Sequence, residues 1–344
     1  MPTKKRLLVI GLFIEDINKN VPTQAMEMAS MFRSNGYEVL TVSKFKNRFL
    51  RLLHLVYFTI ANRKKYDAGM IQVFSGLSLY WEIIVAYILK RLKKEIILTT
   101  RGGSIPAKMK ISPGRYLYLF RKANKITCPS NFIVHELEKF GIKAEKIDNC
   151  IDVSKYKYVK KKSIQPVIFW MRAFSPIYNP EMAVRVIDEL KNSYGYSNVK
   201  MYMGGPDLGL KESLKLMIDK MKLKDNIELV GFLNMKKKQF FVNQCDIYMC
   251  TNAIDNTPVS FLEMMAFGLP IVSTNVGGIP FLVEDNVTAC LVDSGDHQAM
   301  ARKIDELICS PELSNRLISN GIEYISSFDR DIIMKKWEPI LENS

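Results

Sequence analysis

A chain of 344 residues with 48% apolar and 24% charged side chains exceeds one average hydrophobic core and favours two domains of roughly 150–200 residues. No apolar run reaches the roughly 18–20 residues of a membrane-spanning helix, so nothing in it reads as a span. The net charge of +14 is unevenly divided: residues 1–165 hold 31 Lys and Arg against 12 Asp and Glu (+19), and residues 166–344 hold 18 against 23 (−5). Such asymmetry points to an N-terminal half that faces a polyanion or an anionic membrane.

In chain order, RLLVIGLF (6–13) is too short for a secretory leader, has no small-residue cleavage site and runs into Glu15 and Asp16. It reads as a first buried strand. Thr23 to Arg33 reads as a helix stopped at Gly36. YEVLTV, AGMIQVF and EIILTT follow as strands, with helical segments at about 46–62 and 77–92 between them. The polar, basic stretch DVSKYKYVKKKSIQ (152–165), closed by Pro166, reads as a linker with solvated lysines at 160–162. The alternation resumes with VIFWM (167–171), VKMYMG (199–204), IELVGF (227–232), DIYMC (246–250) and PIVST (270–274); the lysines at 236–238 read as a solvated helix start. The last helix, Arg330 to Glu342, carries Trp337. Strand–helix alternation of this kind predicts an α/β fold of two Rossmann-like, parallel-sheet domains, over 1–158 and 166–328. The six cysteines (Cys128, Cys150, Cys245, Cys250, Cys290, Cys309) form no CxxC pair and have no histidine at metal spacing. They read as reduced core residues of a cytosolic protein, with no disulfide and no structural zinc.

The segment IDNTPVSFLEMMAFGLPIVSTNVGGIP (254–280) carries the most chemical information. Thr257 and Pro258 read as the N-cap and first residue of a helix running to Phe267, with Gly268 as its C-terminal stop. A helix start after a polar turn offers unpaired N–H groups and the positive end of a dipole, a combination that binds phosphate. Glu263, on the first two turns, is positioned to accept two bonds from a ribose diol. From the residues alone two readings stand side by side: a ligand site, or an Asp255 that favours the helix start and a Glu263 on a solvated face.

The segment resembles the donor-binding signature of the retaining glycosyltransferases of family 4, also called group 1, which have the GT-B fold. That signature is a pair of acids with seven residues between them, then M-A-x-G-x-P-(I/V)-V and a later G-G; here Asp255 and Glu263 are followed by MMAFGLPIV and by Gly277 and Gly278. Further matches are NPEMAVRVI after Arg172, MGGP at 203–206 and DNCID at 148–152. The resemblance implies that Glu263 binds the nucleotide ribose and Asp255 the donor sugar. It implies that the turn and helix start over Thr257, Pro258, Val259, Ser260 and Phe261 hold the diphosphate through their backbone N–H groups (Pro258 has none) together with Arg172, and that Gly204 and Gly205 lie near the nucleotide. A guanidinium suits a diphosphate because it is a fixed, permanently charged fork of donors. The first domain is expected to take the acceptor and the second the donor, and the last helix, 329–344, to cross back to the first domain. Neither a metal nor another cofactor is implied beyond the sugar-nucleotide substrate.

Three features depart from the signature. The first acid is aspartate, one methylene shorter than the usual glutamate. Thr257, Pro258 and Val259 replace the usual F-G-L. The lysine normally a few residues after the arginine is absent, with Ile177, Tyr178 and Asn179 in its place. In the N-terminal half, Arg101, Gly102 and Gly103 follow EIILTT where the family often has a histidine, and Arg101 is a candidate for phosphate binding or for a salt bridge. His54, His135 and His297 read as structural. Phe45, Phe49, Leu52, Leu53, Val56 and Ile60 share one helical face flanked by Lys44, Lys46, Arg48, Arg51 and Arg63 to Lys65. That face fits either a Rossmann helix on its sheet or a membrane interface with lysines on anionic headgroups.

The resulting expectation is a retaining transferase that moves a sugar from a nucleotide diphosphate donor to a glycan or lipid-linked oligosaccharide, at the cytoplasmic membrane surface, in cell-surface polysaccharide synthesis. A sugar-nucleotide epimerase and a catalytically silent homologue are the alternatives within the fold. A basic nucleic-acid-binding protein is the rival class, supported by charge alone, and no nucleic acid partner is expected.

Overall fold

Short, fully apolar strands followed by amphipathic helices leave one economical arrangement, a parallel sheet covered on both faces. The computed structural model describes residues 4–13, 23–43, 45, 47–158, 160, 161 and 163–342. Glu15, Asp16, Lys44, Lys46 and Lys162, named above, lie outside the described residues, as does the side chain of Arg48. Two compact units emerge, one running up to Ile151 and resuming at Phe328, the other Asp152–Ser327.

The first unit begins with β1 (Leu7–Ile10), α1 (Gln24–Ser34), β2 (Val39–Val42), α2 (Arg48–Ala61), β3 (Ala68–Val73) and α3 (Ser78–Arg91). It continues through β4 (Glu95–Thr100), α4 (Ile105–Ile111), α5 (Pro113–Phe120), β5 (Lys125–Cys128), α6 (Asn131–Glu138) and β6 (Glu145–Lys146). Its strands are ordered β2-β1-β3-β4-β5-β6, all parallel. Leu7 of β1 faces Val39 on one side and Ala68 on the other, so the winding reverses between β1 and β3. Every residue of those two strands is buried, as helices on both faces require.

The second unit holds β7 (Val167–Met171), α7 (Pro180–Asn192), β8 (Lys200–Gly204), α8 (Lys211–Lys220), β9 (Ile227–Gly231) and α9 (Met235–Gln244). It closes with β10 (Ile247–Cys250), α10 (Val259–Phe267), β11 (Ile271–Thr274), β12 (Cys290–Val292), α11 (His297–Cys309) and α12 (Pro311–Ile325). The order β12-β11-β10-β7-β8-β9 is again parallel throughout. α13 (Arg330–Glu342) belongs to the first unit. Its Trp337 meets Phe32 of α1 edge-on, with ring centroids 5.5 Å apart, and Arg330 pairs with Glu27 at 2.9 Å.

The boundary differs from the polar stretch that composition singled out. Residues after Ile151 belong to the second unit because their side chains are anchored there. Lys161 pairs with Asp246 at 3.3 Å, so it is a tether and not a solvated linker lysine. The ring of Tyr158 lies where a Cβ on Gly268 would have to sit. Gly268 has φ of 80°, the left-handed stop that a side chain would strain. All six cysteines are free thiols, five of them buried.

Candidate functional site

The carboxyl ends of the parallel strands in the second unit gather the residues of the signature. Arg172 follows β7 and donates its amide to the Gly204 carbonyl at 3.0 Å. Gly205 packs its backbone directly on Arg172: a Cβ there would fall on the Arg172 carbonyl oxygen, and one on Gly204 would fall on Leu233. These two glycines therefore let β8 end flush against the strand that presents the arginine.

The Arg172 guanidinium is nearly enclosed and reaches across to the loop after β10. Its Nη2 donates to Asp255 Oδ2 at 3.2 Å, and its Nε to Asn252 Oδ1 at 3.3 Å. Asn252 Nδ2 donates to the same Asp255 oxygen at 2.6 Å, while the Asn256 amide donates to Oδ1 at 2.7 Å. Burial works to lower the guanidinium's pKa, but the Tyr248 phenol, the Cys250 thiol and Asp255 outweigh it, so its affinity for the proton is raised. Tyr178, in the place of the family's lysine, stacks 5.7 Å from the guanidinium, and burial raises its phenol. No hydrogen bond to the described residues uses Nη1 of Arg172, which leaves that donor edge for an anion.

Glu263 sits in α10, where all eight residues from Ser260 to Phe267 are buried. It is not a solvated face residue. Oε1 accepts from Lys238 Nζ at 2.6 Å and from the Tyr156 hydroxyl at 3.2 Å, and Oε2 has no hydrogen bond to the described residues. Lys238 is therefore not part of a solvated helix start: its side chain is 8% exposed, on the face of α9 that also buries Val242. Lys238, Tyr156 and Asn252 are site residues that the sequence reading missed. The one available signal was the four-residue spacing of Lys238 and Val242 on a helix.

α10 starts one residue later than the capping pattern predicts. Pro258 is its N-cap, with ψ of 111°, and no side chain caps the first turn. Thr257 therefore precedes the cap, and Val259 and Ser260 open the helix with amides that have no intrahelical acceptor. Ser260 Oγ accepts from the Tyr248 hydroxyl at 3.0 Å, and Phe261 is fully buried against that ring. After β11, Gly277 and Gly278 touch the Asp255 and Asn256 carbonyls so closely that any Cβ would collide, and the Gly278 amide donates to the Asp255 carbonyl at 3.0 Å. Arg172, Gly204, Gly205, Asp255 and the start of α10 thus form one cluster, with Glu263 farther along the same helix.

Arg101, Gly102 and Gly103 lie in the first unit, after β4. The Arg101 guanidinium donates to Asn149 and lies 3.6 Å from Met28 Sδ, while its Nε has no partner among the described residues. Burial lowers its pKa to about 10. A Cβ on Gly102 would stand 2.8 Å from the Ser75 amide nitrogen. His54 packs between Phe45 and Phe58, and His135 lies 3.4 Å from Glu138. No three His, Cys, Asp or Glu side chains among the described residues converge as metal ligands.

α2 is apolar on two faces. Leu55 is buried, whereas Phe49, Leu53, Tyr57 and Ile60 are exposed. The neighbouring α3 also presents Tyr80, Ile84 and Tyr87 outward. Arg115 lies 5.2 Å over Tyr80 and Arg91 5.1 Å over Tyr87. Among the described residues no helix is long and apolar enough to cross a membrane.

Residues 155–324 match the family described as Glycosyl transferases group 1. An amylovoran biosynthesis glycosyltransferase of Erwinia amylovora is 27% identical over 266 residues, covering 70% of this chain and 61% of that protein. The chain thus spans about three fifths of that relative's length. Among solved structures, sucrose-phosphate synthase of Thermosynechococcus elongatus superposes with a TM-score of 0.82 at 13% identity, over 98% of both chains. Anabaena HepE in complex with UDP gives 0.76 at 15% identity, over 98% of this chain and 100% of that one. Two parallel six-stranded sheets and these likenesses make the fold GT-B.

Because Lys238 and Glu263 are buried together, removing one charge strands the other. Lys238→Met is expected to cost about 3–5 kcal/mol of unfolding free energy in urea titrations. The double variant Lys238→Met with Glu263→Gln should recover most of that loss. An undiminished midpoint in the single variant would show that the pair is not desolvated.

Proposed function

We propose that this chain, which belongs to the group 1 glycosyl transferases, transfers one sugar from a nucleotide diphosphate donor with retention of anomeric configuration, as a member of family 4. The observation that carries the reading is Glu263. Its carboxylate is held by one oxygen inside a buried helix while the other is left to accept from a ribose diol. UDP is the first donor nucleotide to test, because HepE, of like fold, was solved with it.

In this reading the leaving diphosphate lies on the first amides of α10 and on the open edge of Arg172. The two together replace the lysine that the family signature would supply. Asp255, fixed by Asn252 and by the Asn256 amide, accepts from hydroxyls of the donor sugar. None of the three histidines serves as base; the leaving phosphate itself takes the acceptor's proton. Because the Arg101 side chain is engaged with Asn149, its role is to hold its loop and to offer positive charge to a phosphate. The acceptor is a glycan or a lipid-linked oligosaccharide of a cell-surface polysaccharide, a reading that the amylovoran relative supports. The exposed aromatic face of α2 and α3, with guanidinium groups over its rings, suits the cytoplasmic face of an anionic bilayer.

Nucleotide release from UDP-, GDP-, ADP- and dTDP-sugars, with and without glycan acceptors, tests the reading. One donor should be consumed in an acceptor-dependent way with a product that keeps the donor's anomeric configuration, and Glu263→Gln should slow it about 10- to 150-fold, the worth of one charged hydrogen bond. Conversion of a donor without acceptor would instead identify an epimerase; binding with no turnover of any donor would identify a silent homologue. For the membrane face, sedimentation with vesicles containing phosphatidylglycerol should fall sharply in Phe49→Ser/Tyr57→Ser, while the same protein ignores neutral vesicles. Equal sedimentation of both proteins would remove that face from the account.

A further inference from the structure

A second pocket lies in the first unit, over the carboxyl ends of β1, β2 and β3. Ile10, Gly11 and Leu12 line it from β1, Ser43 from β2, and Gln72 and Phe74 from β3. α2 contributes Arg51 and Leu55, and α3 contributes Ser78, Trp81, Glu82 and Val85. This is the point where the winding of the sheet reverses, and in open α/β sheets the crevice outside the strand ends there is the preferred ligand position. The cavity measures about 80 Å³, whereas a single water needs roughly 10–15 Å³.

Two polar side chains of this pocket are deeply buried and underused. Gln72 is 3% exposed and Glu82 6%, yet Gln72 Nε2 and Glu82 Oε2 have no hydrogen-bond partner among the described residues. Glu82 Oε1 accepts from the Phe74 amide at 3.2 Å, and the Ser78 hydroxyl also lies against the carboxyl. Burial pushes the Glu82 carboxyl up to about 8, against the lowering effect of the Phe74 amide and the Ser78 hydroxyl, so at neutral pH it is largely a neutral acid with an O–H to donate. Gly11 keeps the floor open, since a Cβ there would stand 2.9 Å from Gln72 Oε1 and 2.8 Å from Ala25 Cβ. Leaving a buried polar group unpaired costs stability, so such a group in a folded chain calls for a partner from water or a ligand.

We propose that this pocket binds a neutral, hydroxyl-bearing sugar ring, with the Gln72 amide and the Glu82 carboxyl as its polar anchors and Trp81 as an apolar wall. Hydroxyl groups both donate and accept, so one ring can satisfy an amide N–H and a protonated carboxyl together. A cation would find no ionised acid here at neutral pH, and the Nε of Arg51, the cation in the lining, already donates to the Phe45 carbonyl at 2.8 Å. The mainly apolar lining (Ile10, Leu12, Leu55, Phe74, Val85) matches the C–H faces of a pyranose. That this ring is the terminal sugar of the acceptor rests on the transferase reading; binding of the ring itself does not.

The test is saturation-transfer NMR on the full chain with the methyl glycosides of glucose, galactose and mannose, with UDP measured in parallel. At least one glycoside should receive saturation, and Gln72→Met and Glu82→Leu should each weaken it about two- to tenfold, the worth of one neutral hydrogen bond. UDP binding should stay unchanged in both variants. Gln72→Met should also melt higher than wild type, because it removes a buried group that the protein leaves unpaired; a purely structural glutamine would melt lower. Absence of transfer to any glycoside, with UDP bound, would mean that the pocket holds only water and would overturn the proposal. Glycoside binding that both variants retain undiminished would overturn it too. If a glycoside binds as described and UDP does not, the pocket stands and the transferase reading falls.

Discussion

An ionised carboxylate inside an apolar helix persists only beside a fixed positive charge, and the second unit is arranged around one such pair. Every residue of α10 from Ser260 to Phe267 is buried, and the Glu263 side chain keeps only 10% exposure. Lys238 reaches it from α9 and Tyr156 from the segment that enters the unit. A pair of this kind adds little net stability over well-packed apolar residues, since desolvation offsets most of the attraction. Its effect is positional: it fixes one carboxylate oxygen and presents the other. The segment after Ile151 behaves as part of the unit for the same reason, because it supplies the hydroxyl that completes the clamp.

The second fixed arrangement is steric. Gly205, Gly277 and Gly278 each occupy places where a Cβ would strike a backbone carbonyl, of Arg172, Asp255 and Asn256 in turn. The loops after β7, β8, β10 and β11 can therefore close to direct backbone contact. Arg172 and Asp255 are held by this packing as much as by their ion pair. Aspartate in place of the longer glutamate fits here: its carboxylate is already met by Arg172, by Asn252 and by the Asn256 amide. An extra methylene would carry the acid past those partners.

Much of this was legible in the sequence. Alternating apolar strands and amphipathic helices specified two parallel sheets, and the spacing of Asp255, Glu263 and the later glycines marked the segment that the fold gathers at the strand ends. Short elements escaped because they carry too little pattern: β6 is two exposed residues, and β12 is only three residues long. Lys238 and Lys161 were misread for a common reason. A lysine within a basic triplet reads as solvated, and only the fold shows that one member of each triplet turns inward to meet a buried acid. The helix start was displaced by one residue because Pro258 suits both positions; its ψ of 111° decides for the cap. The pocket of Gln72 and Glu82 left no trace in local pattern, since its lining comes from three strand ends and two helices far apart in sequence.

The most direct measurement of the central claim is calorimetric binding of UDP, 2′-deoxy-UDP and 3′-deoxy-UDP to wild type and to Glu263→Gln. If the open oxygen of Glu263 receives the ribose diol, each deoxygenation weakens binding to wild type but has little further effect on the variant. Equal losses in the two proteins, or UDP affinity unchanged by Glu263→Gln, would contradict the account and reduce the Glu263–Lys238 pair to a structural contact.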